Sequence, residues 1–259
     1  PKKTEIIAGY PWFGRWGRDT FIALPGLTLV TKDFKTAKQV IDTMLEELDG
    51  PLFPNIGESS HASYNSVDAS LWFFWALQQY AIFTETRHKI WKEYGKKMKM
   101  ILEGYRNGTL FNIHKTEQGL IWAGEQGKAL TWMDAVVAGK AVTPRIGMPV
   151  EINALWYNAI MFSIEVAQLW KDVDFVNEWK SYAEQFPSAF KSSFWSDEKG
   201  YLADCISNDY KDWSVRPNMI FAVSLPYSPL DDEQKHLVLK KIRKELLTSR
   251  GLRTLSPKN

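Results

Sequence analysis

The chain has 259 residues, of which 45% are hydrophobic and 24% charged, and its formal net charge is +2. This composition is typical of a soluble globular protein with a large core, and the near-neutral charge without a basic stripe argues against a nucleic-acid or membrane partner. The single cysteine, Cys205, excludes an internal disulfide and a Cys–Cys metal site, and it fits a reducing, cytoplasmic setting.

The hydrophobic pattern predicts eight helices that alternate between two kinds. The first helix of each pair is apolar nearly all round, which indicates burial on all sides, and the second carries one apolar stripe, which is typical of a surface helix. In chain order the predicted pairs are 20–30 with 35–48, 67–83 with 87–105, 150–170 with 172–195, and 217–225 with 231–247. Pro25 is expected to kink the first helix, and Pro187 to bend the sixth.

Four helix pairs in succession form a structural repeat. The simplest arrangement places the buried helices in an inner layer and the striped helices in an outer layer, as in an α/α toroid or an α-solenoid. Strand signal is sparse, and "GLIWAG" at 119–124 predicts one short strand in a loop. No Gly/Ser linker or charge block divides the chain, so a single domain is expected.

Polar and aromatic residues collect in the loops before the four buried helices, whereas the connections after these helices are short. The long loops are therefore expected on one rim, over the N-termini of the inner helices. A loop of about thirty residues, such as the one before the third buried helix, is rare in a compact domain without a functional reason.

The residue types in these loops suit a polyhydroxylated substrate. Indoles cover the apolar face of a sugar, and carboxylates, amides and guanidinium groups pair with vicinal hydroxyls. The chain contains no GxxxxGK[ST], GxGxxG, GxSxG or HExxH motif. These features favour chemistry at a glycosidic bond, which needs two carboxyl groups and no metal or other cofactor.

Five segments carry a family resemblance: "WFGRWGRDTFIALPG", "YNSVDASLWFF", "TWMDA", "GMPVEINALWYNA" and "RPNMIFAVSLPYSPL". They closely resemble the C-terminal glucosidase domain of glycogen debranching enzymes, the amylo-α-1,6-glucosidase family, which is distantly similar to glucoamylases. The resemblance runs from about Ile7 to the last residue. It implies an all-α (α/α)6 toroid and inverting hydrolysis of the single α-1,6-linked glucose left at a branch point, with glycogen or a branched α-glucan as substrate.

The resemblance also implies that residues 1–259 are a single domain present as an incomplete fragment. The family toroid has twelve helices, and about eight are counted here. The last helices are expected to be missing at the C-terminus, together with one outer helix at the N-terminus. The glutamate that acts as general base is expected beyond Asn259.

Asp134, in "TWMDA", is the candidate general acid, because the resemblance implies the acid at this position. The neighbouring residues are compatible with an acid role, because a loop carboxyl beside Trp132 and Met133 can be partly desolvated, which favours its protonated form. A solvent-facing loop aspartate is the alternative from the residues alone.

Arg18, Asp19 and Asp68 are candidate substrate-binding residues. Both aspartates lie where an inner helix begins, so the helix N-terminus favours their ionised form, which suits hydrogen bonds to sugar hydroxyls. The resemblance implies that the Arg18–Asp19 pair grips the terminal glucose. A plain N-cap aspartate is the alternative, and for Asp68 it is equally open.

Four further residues are expected to contact substrate: Glu151, Asn153, Arg216 and Asn218. Glu151 and Asn153 start the third inner helix, where helix capping is the alternative. Arg216 could instead pair with Asp212 or Asp209.

Trp16 and Trp132 are the expected sugar-stacking residues, and Trp12 is a weaker candidate. Four other tryptophans fall inside helical patterns and are assigned to the core: Trp72, Trp75, Trp156 and Trp179.

Two functions other than α-1,6 hydrolysis stay open. One is an α-1,4 exo-glucosidase of the glucoamylase type on the same barrel, and the other is a glycan-binding fragment without turnover. An α-solenoid scaffold is a third possibility, but it gives no reason for indoles and carboxylates to gather in one set of loops.

Overall fold

Every predicted helical segment contains a helix in the computed structural model of the chain, which describes residues 3–57, 62–208 and 210–259. The α-helices within these ranges are α1 Gly17–Leu24, α2 Phe34–Glu46, α3 Ala69–Thr84, α4 Arg87–Asn107, α5 Val150–Trp170, α6 Val173–Phe194, α7 Phe221–Ser224 and α8 Asp232–Glu245. A π-helical turn, Pro25–Leu29, continues α1, so the regular α-helix ends at Leu24, directly before the proline that was expected to kink it. Helix α6 runs through Pro187 as one element.

The predicted alternation of buried and surface helices is confirmed for α3 to α6 by their packing. Helices α3 and α5 are buried on nearly all sides. Helix α4 buries the whole of its predicted stripe: Trp91, Tyr94, Met98, Ile101 and Tyr105. Each odd-numbered helix packs against the next odd-numbered helix, and α2, α4, α6 and α8 lie against this row. None of the helices in the described ranges combines the length and apolar character that a bilayer crossing requires.

Two of the four inner helices are less buried than the sequence pattern predicts. Ile22 of α1 is 42% exposed. The segment 217–225 is a 3-10 turn, Pro217–Ile220, followed by the four-residue α7, and Ile220 and Phe221 are half-buried. All three side chains line a cavity. Hydropathy alone does not distinguish a side chain in the core from one on an apolar cavity wall.

Small antiparallel sheets correct the all-α prediction to a mostly helical fold. The strands are β1 His114–Lys115, β2 Ile121–Trp122, β3 Val136–Val137, β4 Lys140–Ala141, β5 Met148–Pro149, β6 Trp195–Ser196, β7 Tyr201–Leu202, β8 Cys205–Ser207, β9 Tyr210–Asp212, β10 Leu247–Thr248 and β11 Gly251–Leu252. The strand predicted in 119–124 is confirmed as β2. Strands of two or three residues are too short to show an alternating pattern, so the others were missed.

The three-stranded sheet β5–β8–β9 positions the start of α5. Pro149 pairs with Cys205 across β5 and β8. The next amide, Val150 N, donates to the Asp204 carbonyl oxygen at 3.0 Å. This pairing places Asp204 beside the first turn of α5.

Side-chain caps are found at the starts of three of the four outer helices, whereas the outer helix α4 has none at its N-cap residue, Thr86. Outer helices α2, α6 and α8 begin at Asp33, Asp172 and Asp231, and each aspartate accepts a hydrogen bond from a first-turn N–H. Inner helices α1, α3 and α5 have no side-chain cap at their N-cap residues. Side chains at the inner starts therefore stay available for other contacts.

Gly17 allows the start of α1 to approach the segment at Pro54. Its amide donates to Asn55 O at 3.1 Å. A Cβ at this position would lie 2.3 Å from the Pro54 carbonyl oxygen and 3.3 Å from Ala69 Cβ. The first glycine of the same motif, Gly14, has open space around its Cβ position.

We expect Gly17→Ala to lower the free energy of unfolding by about 1–3 kcal/mol, because the added methyl overlaps a backbone oxygen and displaces α1. Gly14→Ala, the matched control, should change it by less than about 0.5 kcal/mol. Urea titrations of the two variants measure the difference. Equal stability of both would show that Gly17 holds no close contact.

Candidate active site

A cavity of about 830 Å³ lies at the starts of the inner helices. Its volume falls in the usual range for small-molecule sites. Eight of the ten predicted site residues line it: Trp16, Arg18, Asp19, Asp68, Trp132, Asp134, Glu151 and Asn218. Most of the candidate residues therefore lie together around one cavity.

Arg18 occupies the centre of the polar wall. Its Nε donates to Asp68 Oδ2 at 2.5 Å, and its Nη1 donates to Asp134 Oδ2 at 3.4 Å. Burial lowers the pKa of the guanidinium, but Asp68 and Asp134 outweigh burial and raise it above its ordinary value. The third nitrogen, Nη2, is buried and has no hydrogen-bond partner among the described residues. Arg18 is thus a fixed cation whose Nη2 carries two N–H donors without a partner among the described residues.

Asp68 is the N-cap residue of α3, but its carboxylate does not cap the helix. It accepts from Arg18 Nε and from Ser66 Oγ, the latter at 2.6 Å. Ser66 Oγ in turn accepts from Ala69 N at 3.2 Å. The plain N-cap alternative for Asp68 is therefore excluded. Asp19, in the first turn of α1, is exposed on the cavity wall.

Asp134 lies opposite the start of α1, on the loop between α4 and α5. Its side chain is 34% exposed, so it is partly covered, and Arg18 is its ion-pair partner. The neighbouring Trp132 also lines the cavity. A carboxyl group and an aromatic face thus reach the same space from one short segment.

A second group of buried charges holds Glu151 at the start of α5. Arg145 donates to both carboxylate oxygens of Glu151, with 2.7 Å from Nη2 to Oε2. The same guanidinium donates from Nε to Asp204 Oδ2 at 2.9 Å. Burial raises the pKa of Asp204 to about 6, and Arg145 opposes this shift. Glu151 therefore lines the cavity as part of an ion pair, and the helix-capping alternative does not apply.

Trp132 is tied to this charged group through Asn218. Its Nε1 donates to Asn218 Oδ1 at 2.7 Å, and Asn218 Nδ2 donates to Asp204 Oδ1 at 2.7 Å. Trp16, the other predicted stacking residue, packs edge-to-face on Phe13 with the ring centroids 6.4 Å apart. Both indoles are half-buried on the cavity wall.

Two predicted substrate contacts lie outside the cavity lining. Asn153 is fully buried, and its amide bonds the backbone of Ile121 and Pro149. This position is inconsistent with a substrate contact, because the side chain joins the start of α5 to β2. Arg216 Nε lies 3.7 Å from Asp204 Oδ2. Of the two aspartates considered from sequence, Asp212 forms no ion pair with Arg216 among the described residues, and Asp209 lies outside the described residues.

Sequence reasoning missed three residues of the site. Trp72, assigned to the core, is 6% exposed and lines the cavity one turn after Asp68, so its helical spacing from Asp68 was the available signal. Arg145 and Asp204 hold the charged group described above, but no periodic pattern marks either. Within the described residues, no cluster of three or more His, Cys, Asp or Glu side chains is arranged to hold a metal ion.

The fold has relatives among solved structures. A GH78 family rhamnosidase of Bacillus sp. GL1 matches with a TM-score of 0.56 and 17% identity, covering 82% of this chain and 20% of that one. A rhamnosidase from Klebsiella oxytoca with rhamnose bound matches with a TM-score of 0.50 and 12% identity, covering 75% of this chain and 34% of that one. At these identities the similarity shows a shared fold.

Sequence comparison assigns the family. Glycogen debranching enzyme of Saccharomyces cerevisiae is 26% identical over 344 residues, which include 98% of this chain and 22% of the yeast protein. The chain thus spans about a fifth of that relative's length. The family model described as amylo-alpha-1,6-glucosidase matches residues 1–259. The chain therefore belongs to the amylo-alpha-1,6-glucosidase family.

Proposed function

We propose that this chain is the glucosidase part of a glycogen debranching enzyme, which releases glucose from α-1,6 branch points of glycogen or limit dextrin. The observation that carries the proposal is the cavity itself, where Arg18, four carboxylates and three indoles converge. The family match supports the glucosidic substrate. The alternation of inner and outer helices supports a wider (α/α)6 toroid as the architecture.

The cavity wall divides into a polar and an aromatic part that suit the two kinds of surface on a pyranose. Arg18 Nη2 is a buried donor without a partner among the described residues, and the exposed Asp19 carboxylate can accept from hydroxyls. Trp16 and Trp132 offer flat faces for the C–H side of the ring. A terminal glucose held this way presents its anomeric carbon near Asp134.

In the proposed mechanism Asp134 donates its proton to the glycosidic oxygen as the C1–O6 bond breaks. A general base, proposed to be a glutamate outside residues 1–259, takes a proton from water. The water oxygen bonds to C1 from the opposite face, which gives β-glucose and a glucan with a free 6-hydroxyl. In an inverting enzyme the two carboxyls are separated by roughly 6.5–9.5 Å to leave room for this water.

The proposal predicts that the full-length protein carrying this chain releases glucose from an α-1,6-branched limit dextrin at least about tenfold faster than from a linear maltooligosaccharide. A tenfold ratio corresponds to about 1.4 kcal/mol of transition-state discrimination. An enzymatic glucose assay at matched concentrations of chain ends gives the ratio. Faster release from the linear substrate would favour the glucoamylase-type alternative, and binding without release would favour a glycan-binding fragment.

Replacing the proposed acid should remove turnover and spare binding. We expect Asp134→Asn in the full-length protein to lower kcat on limit dextrin by about 100- to 10,000-fold, because the amide cannot protonate the leaving oxygen. Glycogen binding, measured by affinity electrophoresis, should stay near the wild-type level. Asp232→Asn is the matched control, since that carboxylate is 99% exposed on α8. Turnover of Asp134→Asn close to that of the control would remove Asp134 from the acid role.

A further inference from the structure

We propose that Asp204 is a positioning residue for sugar binding, which holds the Trp132 indole against the bound glucose through Asn218. The inference rests on the proposed function, because it assumes that a glucose unit occupies the cavity. We call the series of hydrogen bonds from Asp204 through Asn218 to Trp132 the indole tether.

The first step of the indole tether sets the orientation of the Asn218 amide. The ionised carboxylate of Asp204 only accepts hydrogen bonds, so it selects the NH2 group of Asn218, which donates to it at 2.7 Å. The amide oxygen then faces the other way. An indole N–H only donates, and Trp132 Nε1 meets that oxygen at 2.7 Å. Each partner in the series thus has one allowed role.

Asp204, at the other end of the tether, is itself held in place by burial and by several hydrogen bonds. Its side chain is 2% exposed. Its Oδ2 accepts from Arg145 Nε at 2.9 Å and lies 3.7 Å from Arg216 Nε. Its backbone oxygen accepts from Arg145 Nη2 and from Val150 N, each at 3.0 Å. The carboxylate is therefore anchored to the first turn of α5.

The indole tether controls the orientation of the Trp132 ring. Trp132 lies on the long loop between α4 and α5, whose described regular structure is limited to one 3-10 turn and strands of two residues. Its indole lines the cavity, and Asn218, which holds the indole edge, is fully buried. Stacking on a sugar requires a fixed ring plane, and fixing that plane before binding reduces the entropy that binding must remove. The tether supplies this preorganisation from outside the stacking surface.

A double-mutant cycle tests the tether. The affinity of the full-length protein for the glucose mimic 1-deoxynojirimycin is measured by calorimetry in wild type, Asp204→Asn, Trp132→Phe and the double variant. Phenylalanine keeps an aromatic face but lacks the indole N–H. We expect each single variant to weaken binding about 5- to 10-fold and the double variant to be no weaker than Trp132→Phe alone, because both changes break the same series.

Asp212→Asn is the matched control, a neighbouring carboxylate outside the tether, and it should leave the affinity unchanged. Multiplicative losses in the double variant would assign Asp204 a general structural role and overturn the inference. So would a lowered melting temperature with unchanged affinity in Asp204→Asn. If Asp204→Asn does not fold, Asn218→Leu takes its place in the same cycle.

Failure of the proposed function gives a different result. A folded wild-type protein that does not bind the mimic contradicts both the glucose site and the tether. Wild-type binding with independent effects of the two substitutions contradicts the tether alone.

Discussion

Buried charges must be paired, and this constraint shapes the cavity. Arg18 and Arg145 both have buried side chains, and each one joins carboxylates from separate parts of the chain. Removing one partner of a buried pair costs about 3–5 kcal/mol, because an uncompensated charge is left behind. The two arginines therefore act as fixed junctions, and the geometry of the site follows from what each of them joins.

The two junctions tie the starts of the inner helices together. Arg18 joins α1 to Asp68 at the start of α3. Arg145 joins Glu151 of α5 to Asp204, which holds Asn218 in the turn before α7. The segment from Thr131 to Asp134 lies between them, since Arg145 Nη1 donates to Thr131 Oγ1 at 3.4 Å and Arg18 reaches Asp134 at the same distance. The proposed acid and its neighbouring indole are thus positioned from both ends of one short segment.

The sequence predicted the helices and most of the cavity, and the exceptions have physical reasons. Helical periodicity is a local signal, so it located the stripe of α4 and the buried α3 and α5. Arg18 and Asp134 were selected as site residues from two separate motifs, and they meet in space although 116 positions separate them in the sequence. Asn153 was wrongly predicted to contact substrate because it lies two positions after Glu151. Residues two positions apart on a helix do not share a face, so Asn153 points away from the cavity that Glu151 lines. Asp204 was missed because a buried carboxylate is recognisable only once its partners are brought together by folding.

We propose that the cavity between α1, the Asp134 loop and α5 holds the terminal glucose of a branch. A crystal structure of the full-length protein with 1-deoxynojirimycin tests it most directly. We expect the mimic in this cavity, with a hydroxyl within hydrogen-bond distance of Arg18 Nη2, the ring along Trp132, and Asp134 near the anomeric position. A mimic bound elsewhere, with the Arg18 wall untouched, would contradict it.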